Sequence, residues 1–393
     1  MAVLDDIKKA ATENFEWVRA IRRHIHANPE LSFKEENTSA FVQGVLTELN
    51  IPFKTGFAKH GIVATIGSGT KVTALRADLD ALPIEEKNDC EYKSKAAGVM
   101  HACGHDVHTA SLLGAAKILK SIEKRLTGTV LLIFQPGEEQ LPGGASVMLA
   151  EGALENPKPQ TIFAQHVFPD LEVGKVGFRP GMYMASTDEV RIWVTGKGGH
   201  GAMPHQLIDP VLISAHLIVA LQQITSRQSN PAIPTVLSFG KVEAKGSTNV
   251  IPDEVYLEGT FRTLNEEWRA EAHQKIAEIT NGLCTSMGAT CKVQIDRGYP
   301  FLSNDETLTK QSRILAEEYL GPENVVDLPI RMTGEDFSYF AQQMPACFYR
   351  LGVRNGEKGI IHSVHNARFD IDEQALVTGC GLMAWLAFNN VAG

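Results

Sequence analysis

No C-x-x-C pair occurs in this chain: its six cysteines, Cys90, Cys103, Cys284, Cys291, Cys347 and Cys380, are scattered. That excludes a zinc ribbon and gives no disulfide framework, so a reducing cytoplasm is the expected setting. The first fifteen residues carry Asp5, Asp6, Lys8 and Lys9 and lack the apolar stretch of a signal peptide, and no run is long enough to span a bilayer. Positive charge is scarce as well. With 37 Lys and Arg against 46 Asp and Glu, the net charge is -9 and no basic stripe stands out. Nucleic acid and anionic membranes are therefore excluded as electrostatic partners, and a small molecule is expected. What is present is ordinary for a globular protein: 393 residues, 44% hydrophobic and 21% charged, enough for two domains and a sizeable core.

The densest chemistry lies in Met100-His101-Ala102-Cys103-Gly104-His105-Asp106-Val107-His108, where a thiol, three imidazoles and a carboxylate fall within nine residues. These are transition-metal donors, and Gly104 lets the backbone bend so that Cys103 and His105 converge. Partners must come from elsewhere. Apolar spacing predicts one amphipathic helix over Asp5 to Ile25, and Ser32-Phe33-Lys34-Glu35 reads as a capping box opening a second helix to about Leu49. His24, His26 and Glu35, near that junction, show no ligand spacing. Strand-like runs at Gly61 to Ile66 and Lys71 to Ala77 lead into Arg76-Ala77-Asp78-Leu79-Asp80. Thr109 to Leu126 reads as a helix. Thr129 to Phe134, a buried strand, ends in Gln135-Pro136-Gly137-Glu138-Glu139, and Thr161 to His166 is a short strand ending on an imidazole. Adjacent glutamates after a buried strand repel unless they are hydrated or hold a cation. Strands ending in Asp80, Glu139 and His166 with helices between them describe an α/β fold, a mixed and largely parallel sheet flanked by helices, whose carboxyl edge collects polar residues.

From about Ser186 the texture becomes β-α-β-β-α-β, the order of a ferredoxin-like α+β satellite. The expected domains are 1–185 with 298–393 for catalysis, and 186–297 as an inserted lid. Within the insert, Gly196 to His205 is a glycine-rich loop presenting His200; it lacks the Lys-Ser/Thr ending of a phosphate loop. Asn249 and Arg262 offer an amide and a guanidinium suited to a substrate carboxylate or an oxyanion.

Cys103, His105, Glu139, His166 and one of His362 or His365 make five candidate ligands, more than one tetrahedral site needs and suited to two metals sharing a bridging ligand. Five segments in this order, Arg76 to Pro83, His101 to Asp106, Phe134 to Glu139, Gly198 to His205 and His365 to Asp370, resemble the signatures of the metal-dependent amidohydrolases. That family includes hippurate hydrolase, N-acyl-L-amino acid amidohydrolase and the plant auxin-conjugate hydrolases, within the di-zinc exopeptidase clan. The resemblance runs from about Arg22 to the C-terminal helix. It implies metal ligands at Cys103, His105, Glu139, His166 and His365, chosen over His362, with Glu138 as general base. The wider clan carries His-x-Asp on the early strand and an Asp bridge in the loop. Asp78-x-Asp80 and the Cys103–His105 pair depart from that pattern, which makes Cys103 the implied bridge and Asp80 a residue that orients a ligand.

The implied reaction is hydrolysis of the amide of an N-acyl or N-aroyl amino acid using two divalent ions, Zn, Mn, Ni or Co. His200 would stabilise the oxyanion through closure of the chain or from a partner subunit of a homodimer joined through the insert. A dipeptidase or carboxypeptidase with the same metals is the rival enzyme. A non-catalytic metal or small-molecule binding protein is the rival outside catalysis, and Glu138 argues against it.

Overall fold

The computed structural model describes residues 2–392. The chain forms two compact units, one comprising Met1–Gly181, Ser303–Ile330 and Asp336–Gly393, the other Met182–Leu302 with Arg331–Glu335.

In the first unit, four apolar runs form the centre of an eight-stranded sheet. Thr129–Gln135, Val72–Asp78, Thr161–Glu172 and Ala346–Arg354 lie side by side in that order, each parallel to the next. Gly61–Gly67 and Phe53–Phe57 extend one side in antiparallel fashion, and Val176–Phe178 and Val325–Asp327 complete the other. Every residue of Val72–Asp78 and Thr129–Gln135 is buried. That is why these strands read as continuous apolar runs and not as alternating ones. The helices His105–Ser121 and Ala375–Val391 pack on each other and on this sheet. Leu75, Leu112, Leu132, Phe163, Tyr349 and Leu382 belong to one continuous core, each such side chain contributing roughly 1.5–3 kcal/mol by leaving water.

Parallel strands deliver their C-terminal ends to one edge, where the following loops meet. Asp78 pairs in register with Gln135 at that edge. The third central strand does not end on His166, as its sequence suggests, but runs on to Glu172. Its last partner in Val72–Asp78 is Ala164, opposite Arg76, whereas Ala346–Arg354 stays with it and sets Arg350 opposite His166. His166 therefore emerges past one neighbouring strand while still held by the other.

The single helix expected over Asp5 to Ile25 is two, Ala2–Glu13 and Phe15–Ala27. Asn14, a poor helix former, separates them with φ -86° and ψ 0°, although Asn14 N still donates to Ala10 O and Val18 N to Asn14 O, both at 3.0 Å. The capping box expected at Ser32 does not form. The next helix is Glu36–Glu48, and its first N–H groups, on Asn37 and Thr38, donate to the Glu30 carboxylate at 3.1 and 2.8 Å. Glu30 satisfies donors that would otherwise have no intrahelical partner.

The second unit has a four-stranded antiparallel sheet in the order Thr235–Ala244, Glu254–Thr263, Asp188–Thr195, Thr290–Arg297, with helices Pro210–Gln223 and Glu266–Ser286 in the connections. Numbered along the chain, the spatial order is second, third, first, fourth. Burial alternates along Asp188–Thr195, with Val190, Ile192 and Val194 inward, as a sheet covered on one face requires. Leu217, Leu221, Leu257, Phe261 and Ile276 complete this core.

Candidate metal centre

The bend at Cys103–His105 depends on one glycine. Gly104 has φ +83°, and a Cβ there would come within 2.5 Å of Val167 Cγ2, so only glycine lets this turn lie against the His166 strand. The helix that follows starts at His105, earlier than the expected Thr109. His105 and His108 consequently share one face of its first turn, ring centroids 5.4 Å apart.

The imidazoles of His105 and His166 each have Nδ1 committed, and His108 has both nitrogens committed. His108 Nδ1 lies 2.5 Å from Asp78 Oδ1, and its Nε2 accepts the Val167 N–H at 2.9 Å. Both its nitrogens are used, so it supports the site and is not a donor. His105 Nδ1 lies 3.2 Å from Asp80 Oδ1, leaving a buried Nε2 with no hydrogen-bond partner. The Nδ1 of His166 donates to Val167 O at 2.8 Å, and its Nε2 lies 3.4 Å from Cys103 Sγ. Such partners fix the tautomer and aim the remaining lone pair. Asp80 also gathers the neighbouring elements: its Oδ2 accepts from Glu139 N at 2.9 Å and from Ser32 Oγ at 2.6 Å.

Glu138 and Glu139 occupy the turn after Thr129–Gln135. Glu139 Oε1 lies 3.1 Å from His365 Nε2 and has no hydrogen-bond partner. His365 has φ +62°, and its N–H donates to Ala102 O at 2.7 Å, which fastens this loop beside Cys103. Glu138 is buried, and its Oε1 accepts the Asp336 N–H at 3.4 Å. The Asp336 carboxylate is itself held by Arg76 Nη2 at 2.8 Å, Gln135 Nε2 and Ala145 N.

Five overlapping donor groups result, with atoms within 4.8 Å of one another: Cys103–His105–His166, Cys103–Glu139–His365 and His105–Glu138–Glu139, together with Asp78–His105–His108 and Glu138–Glu335–Asp336 beside them. Electrostatics agree with a cation site. Burial disfavours the imidazolium of His105, yet Asp78 and Asp80 outweigh it and push the group up to about 10. Burial, then Glu139 and Glu138, push the Cys103 thiol well above its usual range. A divalent ion would reverse both tendencies, since ligands bind deprotonated. Orphaned atoms at His105 and Glu139, a thiol and converging imidazoles fit a transition metal.

Among the remaining residues singled out from sequence, His362 joins none of these groups among the described residues. His200 and Asn249 lie in the second unit at a small ribbon, where Val250 pairs with His200 and Gly201 N donates to Asn249 O at 2.8 Å. Both are exposed. Arg262, half-buried on Glu254–Thr263, donates through Nε to Thr260 Oγ1 at 3.0 Å. Sequence reasoning kept His108 to a packing or supporting role and weighed Asp78 with Asp80 at the strand end, but did not pair Asp78 with His108. It also missed the buried network in which Arg22 Nε meets Asp106 Oδ2 at 2.7 Å and His26 bridges Asp106 and Glu86 at 2.8 and 3.2 Å. No local spacing signals partners that far apart.

Residues 74–389 match the family described as Peptidase family M20/M25/M40. The chain is 40% identical over 359 residues to the N-acetyl-L-cysteine deacetylase of Bacillus subtilis, covering 91% of this chain and 84% of that one. It is 38% identical over 392 residues to thermostable carboxypeptidase 2 of Saccharolobus solfataricus, covering 98% of both. Among solved structures, a dinuclear-metal-binding M20 peptidase of Bacillus subtilis superposes with a TM-score of 0.84 at 33% identity, covering 97% of this chain and 99% of that one.

Proposed function

The chain belongs to peptidase family M20/M25/M40 and is a hydrolytic enzyme, and on that premise we propose that it cleaves the amide bond of N-acyl or N-aroyl amino acids, releasing a carboxylic acid and a free amino acid. The observation that carries the reading is Glu138, a buried carboxylate within reach of His105 and Glu139, where Cys103, His105, Glu139, His166 and His365 already offer five donors for two ions. Pure binding gives no reason for a second glutamate there; a hydrolase needs a base.

Cys103, His105, His166, Glu139 and His365 would hold two divalent ions, with Cys103 shared between the two donor groups to which it belongs. Bound ions of this kind polarise the scissile carbonyl and lower the pKa of water toward neutrality. Glu138 takes the proton of the attacking water and returns it to the departing amine, so that the leaving group departs neutral. Asp80 keeps the His105 ring oriented. His200 serves as donor to the oxyanion, and Asn249 and Arg262 hold the substrate carboxylate.

The homodimer reading has support in the second unit. Leu212 and Val219, on helix Pro210–Gln223, are 52% and 74% exposed, and the edge strand Thr235–Ala244 presents Val242 at 56%. Apolar side chains beside an unpaired strand edge suit a second copy of the chain. No helix of the described residues is long and apolar enough to cross a membrane. All six cysteines are free, which supports a reducing cytoplasm.

Carboxypeptidase action on peptides is the second reading, favoured by the Saccharolobus relative. Metal analysis followed by a panel of N-acetyl and N-benzoyl amino acids beside dipeptides separates them. We expect the N-acyl compounds to give the higher kcat/KM, with activity lost on chelation and restored by Zn, Mn, Co or Ni. Faster dipeptide cleavage would install the peptidase reading instead.

A further inference from the structure

Ser32 to Glu35, which does not cap the helix that follows it, sends three side chains to the turn carrying Glu138 and Glu139. Glu35 Oε1 accepts the N–H of Gly137 at 2.8 Å and that of Phe33 at 2.9 Å. Ser32 Oγ donates at 2.6 Å to the same Asp80 oxygen that accepts the Glu139 N–H. The Phe33 ring lies so close to Gly137 that a Cβ there would come within 2.6 Å of its Cζ. On the far side, the Gly137 carbonyl accepts the Gly144 N–H at 2.9 Å. Backbone groups are thus tied on both sides of Glu138: the Gly137 N–H and carbonyl before it, the Glu139 N–H after it.

Two features show that this arrangement is held against resistance. Phe33 adopts φ +61°, a conformation costly for a bulky side chain and one that persists only where the surroundings impose it. Glu35 is fully buried, and its Oε2 has no hydrogen-bond partner. A segment that merely joined two helices would require neither. We propose that Ser32, Phe33 and Glu35 clamp the Gly137–Glu139 backbone and so aim the Glu138 carboxylate, with Glu35 as the principal positioning residue. The proposal rests on Glu138 being the general base.

The clamp needs an acceptor at Glu35 and not a charge, which sets the test. Glu35→Leu removes the acceptor and leaves the Gly137 N–H buried without a partner; Glu35→Gln keeps a carbonyl oxygen in the same place. Steady-state kinetics and bound metal are measured on both variants. For Glu35→Leu we expect kcat to fall about tenfold or more, because small misplacements of a reacting group are costly, with KM within about twofold of wild type. Bound metal should be unchanged, and Glu35→Gln should recover kcat to within about threefold. Wild-type kcat in Glu35→Leu, a Gln variant as impaired as the Leu variant, or a loss that tracks missing metal would each overturn the clamp. Should Glu35→Leu not fold, Phe33→Leu, which keeps apolar burial but loses the ring over Gly137, takes the same readouts with the same criteria. Glu138→Gln is measured alongside. Turnover retained there removes the base assignment whatever the Glu35 variants do, whereas turnover lost there with normal kcat in Glu35→Leu removes only the clamp.

Discussion

Glu35 is a carboxylic acid placed where a carboxylate is unwelcome. Burial, then the nearby charge of Asp80, push it from 4.5 to about 7. Because the folded value lies above the unfolded one, the native state binds this proton more tightly. The associated stability is fully present below pH 4.5 and is lost as pH rises through about 7. Glu35→Gln, a permanent neutral mimic, should remove that dependence. Denaturant unfolding of the metal-free protein should show wild type losing on the order of 3 kcal/mol relative to Glu35→Gln between pH 4.5 and 8; parallel losses in the two proteins would contradict it. Residues of this kind are where reading the sequence fails. Cys103, His105 and Glu139 announce themselves by type and by their position after apolar runs. Ser32 and Glu35, three apart, look like a local cap, and only a partner 102 residues away shows otherwise.

Among elements, the sharpest dependence is that of the Cys103–His105 turn on the His166 strand. Gly104→Ala would place a methyl group 2.5 Å from Val167 Cγ2 at a φ of +83°, so strain and overlap should together cost roughly 1–3 kcal/mol. The two donors on either side of it would move with the backbone. We expect a lower melting temperature and a weakened metal affinity, both measurable by thermal unfolding and metal titration; unchanged affinity would mean the turn does not set the donor geometry. The central strands were legible because burial on both faces writes them as unbroken apolar runs. The start of helix His105–Ser121 was not, because His105, Asp106 and His108 read as metal donors on a bend at Gly104 and not as the first turn of a helix. All three are buried, their polarity met by Asp78, Asp80, Arg22 and His26. Short strands such as Phe53–Phe57 and Val325–Asp327 escaped too, since three to five residues at a sheet border carry little periodicity.

For the whole molecule, the fold class followed from the order of elements: strands alternating with helices predict a mainly parallel sheet with its chemistry at the carboxyl edge. Assembly is a separate matter, and it depends on surface that a single chain leaves uncovered. If a second copy covers helix Pro210–Gln223, Leu212→Glu with Val219→Glu should convert a dimer to a monomer in sedimentation analysis while leaving bound metal unchanged. A wild-type protein that stays monomeric at micromolar concentration would contradict the dimer. The mixed character of this chain, a cluster of candidate metal donors in one unit and exposed apolar side chains on the other, makes assembly and metal content independently measurable.

The claim on which the rest depends is that Glu138 works on the proton while its neighbour Glu139 works on the metal. Glu138→Gln should lower kcat by about 10²–10⁴, the range for a positioned acid–base group, on whichever N-acyl amino acid the wild type cleaves fastest. Metal bound per subunit, measured on the same preparation, should equal that of wild type. Retained turnover, or turnover lost together with the metal, would contradict the account.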